Sequence, residues 1–194
     1  MGTRNLTMVV MDGKTRVAQY GQWDGYPGGQ GLTVLKFLKT ANMDEFKKRL
    51  DGVKFLRQED IDAFCKSEGF PADGWLNEAQ AKIFRAKFPG VNRDLGAEIL
   101  QKIYDGSITE IKNSEGFAGD SLFCEWAYVI DLDSGMLEVY KGFNTSPLPE
   151  TDRFAKMEKD GKYYPVRLVK SYPISALPEK DVFVAECNHL ELEE

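Results

Sequence analysis

The stretch Gln19-Tyr20-Gly21-Gln22-Trp23-Asp24-Gly25-Tyr26-Pro27-Gly28-Gly29-Gln30-Gly31 holds the densest set of residues able to do chemistry. It sets three aromatics, three amides, one acid and five glycines in thirteen positions. Glycine loses more conformational freedom on ordering than any other residue, so such a loop implies one held shape and a close approach to something. Tyr20, Trp23 and Tyr26 could stack on a flat ring, and Gln19, Gln22, Asp24 and Gln30 could read its polar edge. Arg4 and Arg16, on or near the preceding hairpin, offer planar forks for phosphate or carboxylate. These are the parts of a nucleotide-like pocket. The loop lacks the Gly-Lys-Ser/Thr ending of a P-loop and the Rossmann glycine spacing. Its end does meet a predicted helix start at Gly31-Leu32, where exposed N–H groups attract anions. The competing reading is a structural turn that packs Trp23 and Tyr26 into the core.

Other chemistry is sparse. Glu125, between Cys124 and Trp126, is the best single general acid or base, with Asp24 the second carboxylate to consider. On a half-exposed strand Glu125 would simply face solvent. His189 is the only histidine, so a Ser-His-Asp triad has one candidate base. Cys65, Cys124 and Cys187 are odd in number and widely spaced, which argues against zinc and for free thiols in a reducing cytoplasm. Asp131 and Asp133 could be read as a Mg²⁺ pair, but turn chemistry explains two acids beside a hairpin better. No metal and no cofactor is expected.

The elements that must position these residues follow from patterning. Asn5 to Met11 reads as a strand, Asp12-Gly13 as a hairpin turn and Thr15 to Tyr20 as the partner strand. Helices are predicted from Leu32, from Asn42-Met43-Asp44-Glu45, over Glu59 to Glu68, over Asn77 to Lys87 and over Asn92 to Tyr104. Leu122 to Leu132 and Met136 to Phe143 form a second hairpin about Asp133-Ser134-Gly135. Tyr163 to Val169 and Val182 to Ala185 read as further strands, with Ser171 to Pro178 as loop or edge. The expectation is a single α+β domain over residues 1–194. A mostly antiparallel sheet from the N- and C-terminal hairpins carries the central helical block.

A formal net charge of −6 argues against a general nucleic-acid or anionic-membrane binder and leaves room for a local basic pocket. Acid is concentrated at Glu186, Glu191, Glu193 and Glu194. No apolar run is long enough to span a bilayer, and Met1-Gly2-Thr3-Arg4 has no signal-peptide core. Leu6 stands where a myristoylation motif at Gly2 needs Ser or Thr.

Met1-Gly2-Thr3-Arg4, Gln22-Trp23-Asp24-Gly25-Tyr26-Pro27 and Glu125-Trp126-Ala127-Tyr128-Val129-Ile130-Asp131-Leu132-Asp133 together resemble a poorly characterised family of phage and bacterial genomes with distant fungal relatives. The resemblance covers roughly the first 40 residues and the second hairpin. Its layout is also similar to Ntn-hydrolase-like folds, in which the opening hairpin carries an N-terminal nucleophile. Here Gly2 stands where some relatives have Cys, with Thr3 one further along. By genome context, the resemblance implies phage proteins that sequester or cleave nucleotide immune signals in the host cytoplasm.

Three functions remain in play. The first is a binding protein, phage-encoded on the resemblance, that holds a phosphate-bearing nucleotide-like ligand through Arg4, Arg16, Tyr20, Gln22, Trp23, Asp24, Tyr26 and Gln30. The second is a hydrolase on the same pocket with Asp24 or Glu125 as base. The third is a module whose aromatic loop docks on a host protein. A homo-oligomer is compatible with each.

Overall fold

Asp12 and Gly13 both adopt positive φ, 56° and 66°, the conformation a two-residue type I′ turn demands. The turn joins β1 (Asn5–Met11) to β2 (Lys14–Gly21) in antiparallel register, with a bulge between Val9 and Val10. It is clamped from outside: the N–H groups of Asp12 and Gly13 donate to the two carboxylate oxygens of Asp133, each at 2.8 Å. Asp133 belongs to the turn of the second hairpin, β5 (Trp126–Asp131) and β6 (Met136–Lys141). One hairpin therefore caps the other, and β1 runs parallel to β5.

A computed structural model describes residues 2–71 and 74–189; Met1, Glu191, Glu193 and Glu194 lie outside them. The main sheet has the order β2-β1-β5-β6-β7, where β7 is Arg167–Pro173. Three of its four strand pairs are antiparallel, and both hairpins lie in it. The fold is α+β. The parallel β1–β5 contact needs a long crossover, which the helical block between the hairpins supplies.

Each face of the sheet is covered by a different material. On one, Val9, Tyr128, Ile130 and Val139 meet α1 (Leu32–Thr40), α2 (Met43–Leu50), α5 (Ile99–Tyr104) and α6 (Lys180–His189). On the other, Leu6, Met8, Val129 and Tyr140 are covered by Ala118, Phe154 and Val166 from irregular segments. This is why β1 and β5 are buried along their whole length and read as apolar runs rather than as alternation. Arg153 holds the second cover down. It donates to Asp131 Oδ2 at 2.6 Å and to Glu138 Oε2 at 2.9 Å, while Asp131 Oδ1 accepts the N–H groups of Asp133 and Ser134. Burial alone would raise the Asp131 pKa, but the turn N–H groups and Arg153 hold it below the ordinary carboxylate value. The two acids are turn and latch.

Two helices stand apart. In α3 (Gln58–Ser67) only Ile61 is buried, and in α4 (Glu78–Lys87) nothing is, so Ile83 is 45% exposed where the sequence pattern turned it inward. Phe64, Phe84 and Phe88 hold this pair together, Phe64 edge-on to Phe88 at 5.2 Å and Phe84 tilted against it at 5.3 Å. A short parallel pair, β3 (Lys54–Phe55) with β4 (Glu110–Ile111), ties the block's two ends.

Three elements differ from expectation. The helix predicted over Asn92–Tyr104 is a 3₁₀ turn at Gly96–Glu98 leading into α5, because Gly96 takes φ +48° and lies against Gln30. The last strand moves from Tyr163–Val169 to Arg167–Pro173, where an edge position tolerates Pro173. Val182–Ala185 is not a strand but part of α6, which buries Phe183 and Cys187 four residues apart on one helical face.

Candidate functional site

The glycine-rich loop is held in one shape, and what it approaches is the rest of the protein. A Cβ on Gly25 would stand 2.8 Å from Thr3 O and from Asn5 Cβ; on Gly31 it would meet the Tyr128 hydroxyl at 2.9 Å. Gly29 presses on the Asp24 carbonyl and Gly21 on the Asn5 side chain. Asn5 Nδ2 donates to Gly21 O and Trp23 O, and Tyr128 Oη donates to Gly25 O at 2.8 Å. The loop plugs one end of the sheet, then winds through a π-helical turn, Pro27–Gly31, into α1.

Its polar side chains face one another or the next segment. Tyr20 Oη donates to Gln22 Oε1 at 2.5 Å. Gln30 Nε2 donates to Trp23 O, and Gln30 Oε1 accepts the N–H of Ala97 at 2.7 Å. Trp23 is 47% exposed, lies over Gly2 and donates through Nε1 to Asp94 Oδ1 at 2.9 Å. Tyr26 is 46% exposed, and Asp24 is an exposed residue at φ +54°. The loop is thus the brace of segment 92–97.

The eight predicted ligand residues do not converge. Arg16 lies near the opposite end of the hairpin, engaged by Met11 O and Asp12, because antiparallel pairing carries it toward the turn and away from the loop. Arg4 lies over the Phe123 ring at 4.7 Å, and its N–H donates to Glu125 Oε1. Glu125 is therefore tied to β1's entry rather than poised in a cavity. His189 is exposed at the end of α6. The three thiols are free, and burial raises the pKa of each, Cys187 to about 11, which favours the protonated form.

Of the eight, Tyr20 alone lines a cleft of about 560 Å³ at the outer edge of β2. The cleft is a gap in the edge's covering. Ser114 N–H donates to Ala18 O on one side of it, and Gln22 N–H donates to Arg93 O on the other. Its two walls, Gly90–Arg93 and Lys112–Asp120, are brought together at Gly90, which pairs with Ile111 and leaves no room for a Cβ against Glu110 O.

Arg93 and Lys112 are exposed in this cleft and make no ion pair among the described residues. Tyr20 and Phe117 contribute rings packed edge-on at 4.9 Å. Asp120, Asn113 and Ser114 add polar groups. Sequence reasoning missed all of these except Tyr20. The signal available was slight: a turn-rich run, Asn113 to Asp120, between the helical block and the second hairpin. Among the described residues, no three His, Cys, Asp or Glu side chains gather as a metal site would require. No helix among them is long and apolar enough to cross a membrane.

Compared with family models, curated proteins and solved structures, the chain matches none.

Proposed function

We propose that this chain is a binding protein for a small anion bearing a flat ring, of nucleotide size, held in the cleft beside Tyr20. The observation that carries the reading is the meeting of two unpaired cations, Arg93 and Lys112, with two aromatic rings, Tyr20 and Phe117, in one concavity. About 560 Å³ suits a ligand of that size. Arginine offers a bidentate fork to phosphate, lysine a compact charge, and a ring stacked on an aromatic contributes about 1–3 kcal/mol. Binding is favoured over hydrolysis because Asp24 and Glu125, the carboxylates proposed as bases from the sequence, do not line the cleft, and Asp120, which does, accepts the N–H of Phe123.

Calorimetric titration with phenyl phosphate, AMP and UMP tests this, with chromatography of the recovered ligand. The expected result is saturable binding, ligand returned intact, and a loss of about tenfold or more in Arg93→Ala and in Lys112→Ala. Heat from none of the three compounds overturns the reading. Ligand returned cleaved replaces binding by hydrolysis.

A further inference from the structure

Gln19 is only 4% exposed, yet it lines the cleft. Its Nε2 donates to Tyr20 O at 3.0 Å and to Asn92 O at 3.2 Å. Those two carbonyls decide which way the amide faces, because turning it over would set its oxygen against two other oxygens. Oε1 makes no hydrogen bond among the described residues and is not among their enclosed, unpartnered side-chain atoms. It is therefore an acceptor, fixed in orientation and not fully enclosed, on a residue that lines the cleft.

A donor lies beside it. In an extended strand the N–H and C=O of one residue point to the same side, and this side alternates along the chain. Ala18 O and Gln22 N–H both point outward, to Ser114 and Arg93. Tyr20, midway between them, turns its N–H outward too, into the gap that the cleft occupies. Its carbonyl, on the same side, is already taken by Gln19. The cleft thus presents one fixed acceptor and one fixed donor on neighbouring residues of a single strand edge.

We infer that the cleft selects a ring whose edge carries a hydrogen-bond donor beside an acceptor, through Gln19 Oε1 and the Tyr20 N–H. The lactam edge of a uracil or hypoxanthine ring and the amino-pyrimidine edge of adenine both have this pattern. This rests on the binding role proposed for the cleft. It makes Gln19 a specificity-determining residue, while Arg93 and Lys112 supply affinity that does not depend on the ring's edge.

The test compares ligands that differ by one blocked donor on the wild-type chain: UMP against 3-methyl-UMP, and AMP against N6,N6-dimethyl-AMP. Methylation should weaken binding about tenfold or more in at least one pair. In Gln19→Ala that discrimination should vanish while phenyl phosphate still binds, with any fall in affinity from loosening the Asn92–Arg93 wall shared equally by parent and methylated nucleotides. Because the ligand pairs are read on the wild type, the outcome stands even where Gln19→Ala does not fold. Parent and methylated nucleotides binding equally would overturn edge reading and leave the binding role standing. Phenyl phosphate binding without any nucleotide would do the same. Discrimination that persists in folded Gln19→Ala would remove Gln19 from the role. Binding by none of the compounds would overturn the cleft's function itself.

Discussion

The segment Gly21–Gly31, at one end of the sheet, and the segments Gly90–Arg93 and Lys112–Asp120, beside the β2 edge, use their polar groups in opposite ways. In the loop, Asn5, Gln30 and Tyr128 satisfy main-chain groups and glycines let backbone lie on backbone. In the cleft walls, two cations and an amide oxygen have no partner among the described residues, although their neighbours are well packed. The difference teaches that a biased composition reports close packing, whereas capacity to bind reports unsatisfied groups that are held in place and reachable, unlike the enclosed Asn5 Oδ1. The two regions are coupled nonetheless, since Trp23 and Gln22 hold segment 93–94 by its side chain and its backbone.

The largest effects should come from glycines at backbone contacts. Gly90→Ala puts a Cβ against Glu110 O and Gly29→Ala puts one against Asp24 O, both far inside contact distance. Each should lose about 3 kcal/mol in urea unfolding, whereas Gly28→Ala, with nothing nearer than 3.6 Å, should stay within about 0.5 kcal/mol. Equal effects at Gly28 and Gly29 would break the view of the loop as a packed plug.

Next in size is the latch behind the cleft. The wall around Ala118 is bonded to Val166, in the cover segment that Arg153 holds. Arg153→Ala leaves Asp131 and Glu138 without their cation and should cost about 2 kcal/mol, discounted from a fully buried pair because both partners are partly exposed. Asp131 has a depressed pKa in the folded state, so its contribution is full above the ordinary value of 3.8 and is lost as pH falls through the lower folded value. Hydrogen exchange in acid should therefore rise at Ala118 and Val166 before it rises in the loop. The reverse order would show that the loop, not the wall, is the weaker region.

Trp23→Ala should have a smaller effect. Half exposed, the side chain gives up partial burial and one hydrogen bond to Asp94, about 1–2 kcal/mol, rather than the 3–5 kcal/mol of a core aromatic. Ligand affinity should fall modestly through a loosened Arg93, and the melting temperature should drop by a few degrees. Complete loss of binding with unchanged stability would return the ligand to the loop.

The smallest effect is expected of Asp24→Asn. Asparagine tolerates positive φ well, and Asp24 is exposed, so stability should stay within about 0.5 kcal/mol and binding should not change. A change in binding alone would restore Asp24 to the site.

What was legible in the sequence is local. Asp12-Gly13 specifies its turn because few residue pairs accept two positive φ angles in succession, and Asn42 and Asn77 cap helices with their own side chains. The α+β class followed from two hairpins around a helical block, and the loop's rigidity followed from its glycines. Tertiary structure decided the rest. Val182–Ala185 has strand propensity, yet α6 buries Phe183 and Cys187 against a sheet made of residues far away in the chain. Arg16 and Gln22 are near in sequence, yet antiparallel pairing sends them toward opposite ends of β2. Arg93 and Lys112 carry no local mark of a site, because a cleft is a gap between segments about twenty and seventy residues apart. Only folding brings its walls to this stretch of the β2 edge.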